Sequence, residues 1–358
     1  MTDLPTIRWG IVATGMISEW FVTDILKASW PDKRANHTIS AVGSSSLHKC
    51  QDFTAKFITP ANPEIQPRLY GSYQEVYGDG NVDCVYIGTP HSFHKQNCLE
   101  AIAAGKNVLC EKPFAMNAQQ AEEVFQAAKA KGVFIMEAMW TRFYPLVKKL
   151  QDVLFVEKEI GKVYRTFCDF GLDVDIPSLP ETSRYKDPAL GAGSLLDIGI
   201  YSLTWGIVTL SDKVGDAAEE AEVQSTQTIE HGVDTASSVL LRYPSTGRQA
   251  ICTSTTNHPR HVEFARIEGS KGYITVHSTD APSSPEWFVL HPKDGSAERY
   301  EFEKPGRGFF WEADAVAQDI HAGRKQNGTM PWAETMRMLR IMDGVRRRGG
   351  ARFPVDDW

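Results

Sequence analysis

The segment that decides the fold of this chain is Ile7-Arg8-Trp9-Gly10-Ile11-Val12-Ala13-Thr14-Gly15-Met16-Ile17-Ser18. Residues 7–12 form a short, β-prone apolar run, and residues 13–18 lead into an amphipathic stretch from Glu19 to Ala28. This order predicts a strand, a tight turn and a helix.

Strands and helices continue to alternate in the first 145 residues. We predict strands at 38–42, 84–87, 107–110 and 133–136, and helices at 47–57, 92–104 and from the capping pair Asn117 and Gln120 to Lys131. Such alternation is typical of a parallel sheet with helices on both faces, whose ligands bind outside the carboxyl ends of the strands. The ligand-binding segments are therefore expected at 13–18, 44–46, 89–94 and 111–113.

The second half of the chain has a different pattern. The β-rich runs are 163–172, 223–230, 236–243, 248–255, 262–268 and 272–277, and residues 310–320 and 332–347 are helical in pattern. Strands that follow one another without intervening helices favour an antiparallel or mixed sheet. The fold class is therefore α/β, with an N-terminal Rossmann parallel sheet and a second α/β domain.

The length of 358 residues exceeds what one hydrophobic core usually organises, so two domains are expected. We place a dinucleotide-binding domain at 1–145 and a substrate-binding and dimerisation domain at 146–358. The C-terminal helices are expected to pack back on the first domain.

Composition excludes several classes of function. The net charge is −7, and the one dense basic run, Arg346-Arg347-Arg348, ends a predicted helix, so a nucleic-acid partner is not expected. The six cysteines form no CxxC pair, and His258 and His261 have no evident third ligand, so no metal site is expected. Without a visible leader or a long apolar span, the expected location is the cytoplasm, with no membrane partner.

The turn after the first strand resembles a dinucleotide-binding fingerprint. Its register is Ala13-x-Gly15-x-x-Ser18, in which alanine and serine replace two of the usual glycines. A plain turn is the alternative, but the position after the first strand of an alternating chain favours cofactor binding. The predicted contacts are Ala13, Thr14, Gly15, Met16 and Ile17.

The end of the second strand predicts the choice of cofactor. NAD enzymes usually carry Asp or Glu there for the ribose 2′-hydroxyl, whereas this chain has Ser44, Ser45 and Ser46, followed by His48 and Lys49. Hydroxyls and a cation suit a 2′-phosphate, which favours NADP over NAD. The serines are alternatively caps for the helix that begins at Leu47.

Four motifs carry a family resemblance: Cys110-Glu111-Lys112-Pro113, Thr89-Pro90-x-x-x-His94, the segment 137–143 (EAMWTRF) and the block 191–201 (GAGSLLDIGIY). Together they resemble the glucose–fructose oxidoreductase / inositol dehydrogenase family. Most of that family has histidine where this chain has Tyr201, and this variation is similar to the branch of dimeric dihydrodiol dehydrogenases and fungal NADP-dependent D-xylose dehydrogenases. The resemblance spans nearly the whole chain, to 330–332 and 352–354.

The resemblance implies a second domain with an open, largely antiparallel sheet, through which the chain forms a homodimer. It implies further cofactor contacts at Thr89, Pro90, His94, Glu111 and Lys112. It implies catalytic roles for Lys112, Tyr201 and Asp197. Substrate contacts are expected at Trp140, Arg142 and Phe143.

These residue types suit hydride transfer from an alcohol. A tyrosine is a poor base at its ordinary pKa near 10, and a lysine ammonium close by favours the phenolate. Asp197 lies four residues before Tyr201, so the two share a face if 195–208 is helical. Each residue also has a plain interpretation: a surface lysine, a core tyrosine and a carboxylate that serves the helix dipole.

The predicted function is NADP-dependent oxidation of a pyranose such as D-xylose at its anomeric hydroxyl, giving the lactone. A trans-dihydrodiol dehydrogenase is the first alternative. Two others are a cofactor-sensing regulatory protein without turnover and a glycosidase that uses the nicotinamide transiently.

Overall fold

The structure, a computed structural model, describes residues 4–358. The chain forms two compact units. The first comprises Met1–Ala115, Gln119–Trp140 and Glu303–Trp332, and the second comprises Met116–Ala118, Thr141–Phe302 and Ala333–Trp358. Residues 303–332 therefore belong to the first unit, whereas the predicted division at 145/146 assigned them to the second domain.

The bounds of the regular elements are as follows. The strands are β1 (Thr6–Val12), β2 (Asn36–Gly43), β3 (Arg68–Tyr70), β4 (Cys84–Ile87), β5 (Asn107–Glu111), β6 (Ile135–Ala138), β7 (Val163–Gly171), β8 (Glu222–Glu230), β9 (Val233–Arg242), β10 (Gln249–Thr255), β11 (Glu263–Gly269), β12 (Gly272–His277), β13 (Trp287–Pro292) and β14 (Glu298–Glu301). The α-helices are α1 (Met16–Ile25), α2 (Leu47–Phe53), α3 (Tyr73–Gly78), α4 (His94–Ala103), α5 (Ala118–Lys131), α6 (Pro145–Gln151), α7 (Ile200–Leu210), α8 (Phe309–His321) and α9 (Trp332–Gly349).

The sheet of the first unit has six parallel strands in the order β3-β2-β1-β4-β5-β6. All residues of β4 and β6 are buried, as expected for parallel strands covered on both faces. The chain order reverses between β1 and β4, and ligands of such sheets bind in the crevice outside the carboxyl ends of the strands at this point. The predicted Rossmann sheet is confirmed.

Helix α8 belongs to the first unit although it lies late in the sequence. The buried carboxylate of Asp24 on α1 accepts hydrogen bonds from the backbone N–H groups of Arg307, Gly308 and Phe309. It thereby satisfies donors that the first turn of a helix leaves unpaired. A carboxylate nearly 300 residues away in the sequence thus fixes the start of α8.

The sheet of the second unit has eight strands in the order β14-β13-β12-β11-β7-β10-β9-β8. Only the pairing of β7 with β10 is parallel, so the predicted largely antiparallel sheet is confirmed. Helix α7 packs on β7 and β10. The close packing of α7 on β10 requires glycine at position 206, because a Cβ there would lie 2.7 Å from the sulfur of Cys252.

Among residues 4–358, the stretch Pro188–Leu210, which includes α7, is long and apolar enough to cross a membrane by length and composition alone. Its most apolar 18 residues are 94% buried inside the protein, as in the core helix of a folded domain. Its composition therefore reflects its packing against the sheet.

Candidate active site

A cavity of about 490 Å³ opens at the carboxyl ends of β1 and β2. Its lining includes Ala13, Thr14 and Gly15 from the turn after β1, and Ser44 and Ser45 from the end of β2. These five are among the predicted cofactor contacts. The structure thus brings the two predicted segments together around one cavity.

The turn after β1 presents its backbone to this cavity. Ala13 adopts a left-handed conformation with φ of +74°, which explains why glycine is usual at this position. Gly15 is the N-cap of α1, and a Cβ built on it would meet nothing within 4 Å. A helix N-terminus beside open space fits the pyrophosphate of a dinucleotide, because backbone N–H groups and the helix dipole favour an anion there.

The serine at the third fingerprint position is accommodated by a glycine on the neighbouring strand. Ser18 is fully buried, and a Cβ on Gly88, just after β4, would lie 2.4 Å from the Ser18 hydroxyl oxygen. The close helix-to-sheet packing that the fingerprint glycine usually permits is obtained here because Gly88 has no side chain.

A lysine and several hydroxyls form the rim of the cavity at the end of β2. Lys49 Nζ donates to Ser45 Oγ at 2.9 Å, and the hydroxyls of Thr14 and Ser44 lie 3.1 Å apart. Ser46 caps α2, its hydroxyl accepting from the N–H of Lys49. Ser46 is therefore a helix cap, while Ser44 and Ser45 line the cavity.

Two lysines, Lys49 and Lys56, line the cavity. The predicted contact His48 pairs with Asp52, and its side chain is 80% exposed. Lys49 follows the serine run in the sequence, and its spacing of four residues from Ser45 is a signal for their contact. Asp52 also lines the cavity, and Met16 and Ile17 lie in the first turn of α1.

His94 connects two of the predicted ligand-binding segments. Its ring is fully buried, with Nε2 and Nδ1 each 2.8 Å from a carbonyl oxygen, of Thr89 and Pro113 respectively. Burial lowers the pKa of His94. His94 thus ties the segment after β4, which includes Pro90, to the turn after β5, and it positions that turn.

Lys112 follows the carboxyl end of β5. Lys112 is partly exposed, and its backbone N–H donates to Glu111 Oε2 at 3.2 Å. Glu111 itself is buried, and Tyr86 of β4 donates its hydroxyl to Glu111 Oε1 at 2.6 Å. Burial raises the pKa of Glu111 to about 7. The predicted cofactor contact Glu111 therefore lies inside the fold.

The predicted substrate residues are buried. In the first unit, Trp140 stacks on Phe309 with ring centroids 4.1 Å apart. In the second unit, Arg142 forms a buried ion pair with Glu334 at 2.5 Å, and Phe143 is buried. The carboxylate of Glu334 thus compensates the charge of Arg142.

Asp197 and Tyr201 lie on consecutive helical turns of the second unit. Residues Leu195–Gly199 form a π-helical turn that continues into α7, a feature frequent at functional sites. Asp197 forms an ion pair with Arg184 at 2.7 Å. Tyr201 is buried, with its ring 5.8 Å from that of Phe170.

Asp234 of β9 holds the start of this helical segment. Its carboxylate accepts from the Ser194 hydroxyl at 2.7 Å and from the Leu195 N–H at 2.8 Å. Gly193, with φ of +129°, lies so close that a Cβ would be 2.2 Å from Asp234 Oδ1. Gly193 therefore permits the contact that fixes the start of the helical segment carrying Asp197 and Tyr201.

Within residues 4–358, no group of three or more His, Cys, Asp or Glu side chains is arranged to hold a metal ion. The rings of His258 and His261 lie 6.3 Å apart, and His258 Nδ1 is 2.8 Å from the carbonyl oxygen of Pro259. The six cysteines are buried and none forms a disulfide.

Comparisons with known proteins agree with this architecture. Residues 7–139 match the family model described as an oxidoreductase family with an NAD-binding Rossmann fold, and residues 148–275 match the GFO/IDH/MocA C-terminal domain. The chain is 35% identical to a D-xylose 1-dehydrogenase (NADP(+)) of Hypocrea jecorina, over 98% of this chain and 93% of that protein. It is 33% identical to a trans-1,2-dihydrobenzene-1,2-diol dehydrogenase of Mus musculus, over 98% of this chain and 99% of that protein.

A solved structure supports the fold independently. An aldose-aldose oxidoreductase from Caulobacter crescentus, determined with glycerol, superimposes with a TM-score of 0.80 at 21% identity, covering 96% of this chain and 97% of that one. Two family models and full-length relatives above 30% identity establish the assignment: the chain belongs to the GFO/IDH/MocA family of oxidoreductases.

Proposed function

We propose that this protein is an NADP-dependent dehydrogenase that oxidises a pyranose such as D-xylose at its anomeric hydroxyl, giving the lactone. The observation that carries the proposal is the cavity rim formed by Ser44, Ser45 and Lys49, where NAD enzymes usually carry a carboxylate. The choice of substrate is supported by the 35% identical relative named for NADP-dependent D-xylose oxidation.

The chemistry assigns one task to each of three side chains. A bound nicotinamide would supply the acceptor for the hydride. Tyr201 takes the hydroxyl proton as general base, Lys112 supplies the positive charge that favours the phenolate, and Asp197 orients the substrate hydroxyl. Trp140, Arg142 and Phe143 stay predicted substrate residues.

A trans-dihydrodiol dehydrogenase is the second candidate. It is favoured by the 33% identity to the Mus musculus enzyme over nearly the whole length of both chains. For this candidate we propose the same base and the same cofactor, so the two candidates differ in their substrate.

We further propose a homodimer formed through the open face of the eight-stranded sheet. That face carries two cation–π contacts. The Arg266 guanidinium lies 3.8 Å from the centre of the Tyr273 ring, and the Arg299 guanidinium lies 4.3 Å from the centre of the Trp287 ring. Aromatic and arginine side chains are enriched in protein interfaces. Light scattering that gives the mass of a monomer at micromolar concentration contradicts this proposal.

A cytoplasmic location is proposed on the cysteine chemistry. Six buried thiols without a disulfide suit a reducing compartment.

A substrate panel tests the proposed function. Aldopentoses, aldohexoses and trans-dihydrodiols are each incubated with NADP⁺ or NAD⁺, and formation of the reduced nicotinamide is followed by its absorbance. We expect the highest kcat/KM with a pentose and NADP⁺. Activity confined to dihydrodiols supports the second candidate, and product formation without net reduction of the cofactor contradicts both.

A further inference from the structure

One arginine of the basic run that ends α9 is buried. Arg346 is 0% exposed, whereas its neighbours Arg347 and Arg348 are exposed. The Arg346 guanidinium pairs with the buried carboxylate of Asp356, and its Nη2 lies 2.8 Å from Oδ1 of Asp343. Burial of an arginine is unfavourable unless carboxylates and acceptors match its charge and its donors in this way. We call Arg346, Asp343 and Asp356 the Arg346 cluster.

Residues 352–358, called here the 352–358 segment, fold back on this arginine. The ring centres of Phe353 and Trp358 lie 4.3 Å and 4.9 Å from the guanidinium carbon of Arg346. The carboxylate of Asp356 also accepts a hydrogen bond from the Phe353 N–H at 2.8 Å. Cation–π contacts are stronger where the cation is removed from water, so the arginine and the segment stabilise each other.

The Arg346 cluster holds a short segment that lies more than 200 residues earlier in the sequence, Met116–Ala118. Each member of the cluster forms a hydrogen bond with one of these three consecutive residues. The distances are 3.1 Å from Arg346 Nη2 to the Met116 carbonyl oxygen, 3.2 Å from Asn117 Nδ2 to Asp356 Oδ1 and 2.9 Å from the Ala118 nitrogen to Asp343 Oδ2. Ala118 begins α5, so the Asp343 carboxylate also satisfies a donor at the start of that helix.

Met116–Ala118 is a crossing of the chain between the two compact units. Residues up to Ala115 and from Gln119 belong to the first unit, whereas Met116–Ala118 belong to the second, as the Arg346 cluster does. Lys112 lies four residues before Met116, at the end of β5. The crossing nearest to Lys112 in the sequence is therefore the one that the Arg346 cluster holds.

The turn between Lys112 and this crossing also has partners inside the first unit. The N–H of Phe114 donates to Glu137 at 2.9 Å, and His94 Nδ1 lies 2.8 Å from the Pro113 carbonyl oxygen. The turn is therefore fixed in the first unit at 113–114 and in the second unit at 116–118. A change at either end alters the freedom of the backbone that carries Lys112.

We propose that the Arg346 cluster and the 352–358 segment position Lys112 for the reaction by fixing the crossing at Met116–Ala118. The proposed chemistry uses Lys112 of the first unit and Tyr201 of the second. Arg346 and Asp356 are positioning residues, because they act through the backbone that leads to Lys112. The effect on the reaction rests on the proposed function, whereas the effect on the crossing does not.

A paired replacement separates this role from a loss of folding. Arg346→Met with Asp356→Leu removes both buried charges and keeps apolar volume, a change that buried ion pairs often tolerate. Arg346→Lys keeps the charge without the planar fork that reaches several acceptors at once, so it should retain part of the effect. The matched control is Arg348→Met, at an exposed position two residues along the same helix.

Hydrogen exchange of the complete chain without cofactor tests the hold on the crossing. We expect a peptide that covers 114–120 to exchange at least about tenfold faster in the paired variant, with an intermediate rate in Arg346→Lys and the wild-type rate in Arg348→Met. Wild-type exchange of this peptide in both Arg346 variants overturns the proposal, and Arg346→Lys alone decides if the paired variant does not fold. This readout needs no substrate, so its failure is distinct from failure of the proposed function.

The pH profile of kcat tests the action through Lys112. The paired variant should lower kcat about tenfold to hundredfold and move the rate-limiting ionisation to higher pH, the direction expected for loss of the lysine charge. In a Lys112→Met background the same replacement should change neither quantity further, because residues that act through one group are not additive. A purely structural role would lower kcat equally in both backgrounds. Faster exchange with an unshifted profile overturns the claim that the crossing acts through Lys112.

Discussion

The guanidinium Nη2 of Arg184 lies 2.7 Å from Oδ1 of Asp197. Their side chains are 44% and 14% exposed, so the arginine meets solvent while the carboxylate is largely enclosed. The pair holds Asp197 in one orientation four residues before Tyr201. Arg184 was not among the predicted site residues, because nothing in the local sequence shows which carboxylate it meets.

Replacing Arg184 tests whether this pair serves the reaction. Arg184→Gln removes a charge-assisted hydrogen bond, which is worth about 1.5–3 kcal/mol and corresponds to roughly a tenfold to hundredfold loss of kcat/KM. The loss should appear mainly in KM for the sugar, with NADP⁺ affinity unchanged. Arg184→Lys should recover part of it.

The matched control is Arg242→Gln, which breaks an exposed ion pair with Glu222 on the second sheet. Exposed pairs contribute little, so its kinetics should equal those of the wild type. Equal effects of the two substitutions would show that the Arg184–Asp197 pair is only structural.

Gly15 tests the proposed pyrophosphate position. Because a Cβ on Gly15 meets nothing within 4 Å, Gly15→Val should fold with an unchanged melting temperature. Its side chain should fill space that the cofactor needs and raise the Kd for NADP⁺ by at least about tenfold, or 1.4 kcal/mol. Fluorescence titration measures the affinity. Gly80→Val is the control, because Gly80 is equally open but does not line the cavity.

Lys49 tests the choice of cofactor. The wild type should use NADP⁺ with at least about tenfold higher kcat/KM than NAD⁺. Lys49→Met removes the cation at the rim and should weaken NADP⁺ binding about tenfold to hundredfold while leaving NAD⁺ binding unchanged. The exposed Lys129→Met on α5 should affect neither cofactor. Equal losses for NADP⁺ and NAD⁺ would remove Lys49 from the 2′-phosphate site.

The stability of the fold should depend on pH through Glu312. Burial raises the pKa of Glu312 well above its ordinary value, so its contribution to stability is complete below about pH 4.5 and is lost as the pH rises toward the folded-state pKa. Relative to Glu312→Gln, the wild type should lose about 1.4 kcal/mol of unfolding free energy per pH unit above pH 5. Urea denaturation at pH 5, 6.5 and 8 measures the difference. A constant difference across this range would show that Glu312 is ionised in the native state.

Local patterns were sufficient to predict most of the framework. Strands β4 and β12 have the predicted bounds. The bounds of β4 follow from a short apolar run, and the start of β12 follows from the adjacent hairpin turn. The predicted strands do not include β3, β13 and β14. Strands β3 and β14 have three and four residues, too few for a periodic pattern, and β13 (WFVLHP) is an apolar run without alternation of polar and apolar residues. Residues 54–57 were predicted to continue a helix, whereas Thr54–Ile58 is a π-helical turn.

The site was only partly predictable, because several of its features join distant parts of the chain. Gly88 accommodates Ser18, Asp234 fixes the start of the segment that carries Asp197, and Tyr86 donates to Glu111 across 25 positions of sequence. Each contact depends on the packing of whole elements. The motifs in the sequence identified the residues of the turns. The residues that contact them and set their orientation could be found only from the structure.

We propose Tyr201 as the general base, with the charge of Lys112 favouring its ionised form. Tyr201→Phe keeps the ring and its packing, and the exposed Tyr164→Phe on β7 is the control for loss of a phenol. Lys112→Met keeps the apolar stem and removes the charge, so it should lower kcat and move the rate-limiting ionisation to higher pH.

The most direct measurement is the pH profile of kcat and kcat/KM for Tyr201→Phe, with NADP⁺ affinity and melting temperature determined on the same sample. We expect kcat to fall about a hundredfold to ten-thousandfold, with cofactor affinity and stability retained. Near-wild-type turnover with the same ionisation would contradict it and make Asp197 the candidate base.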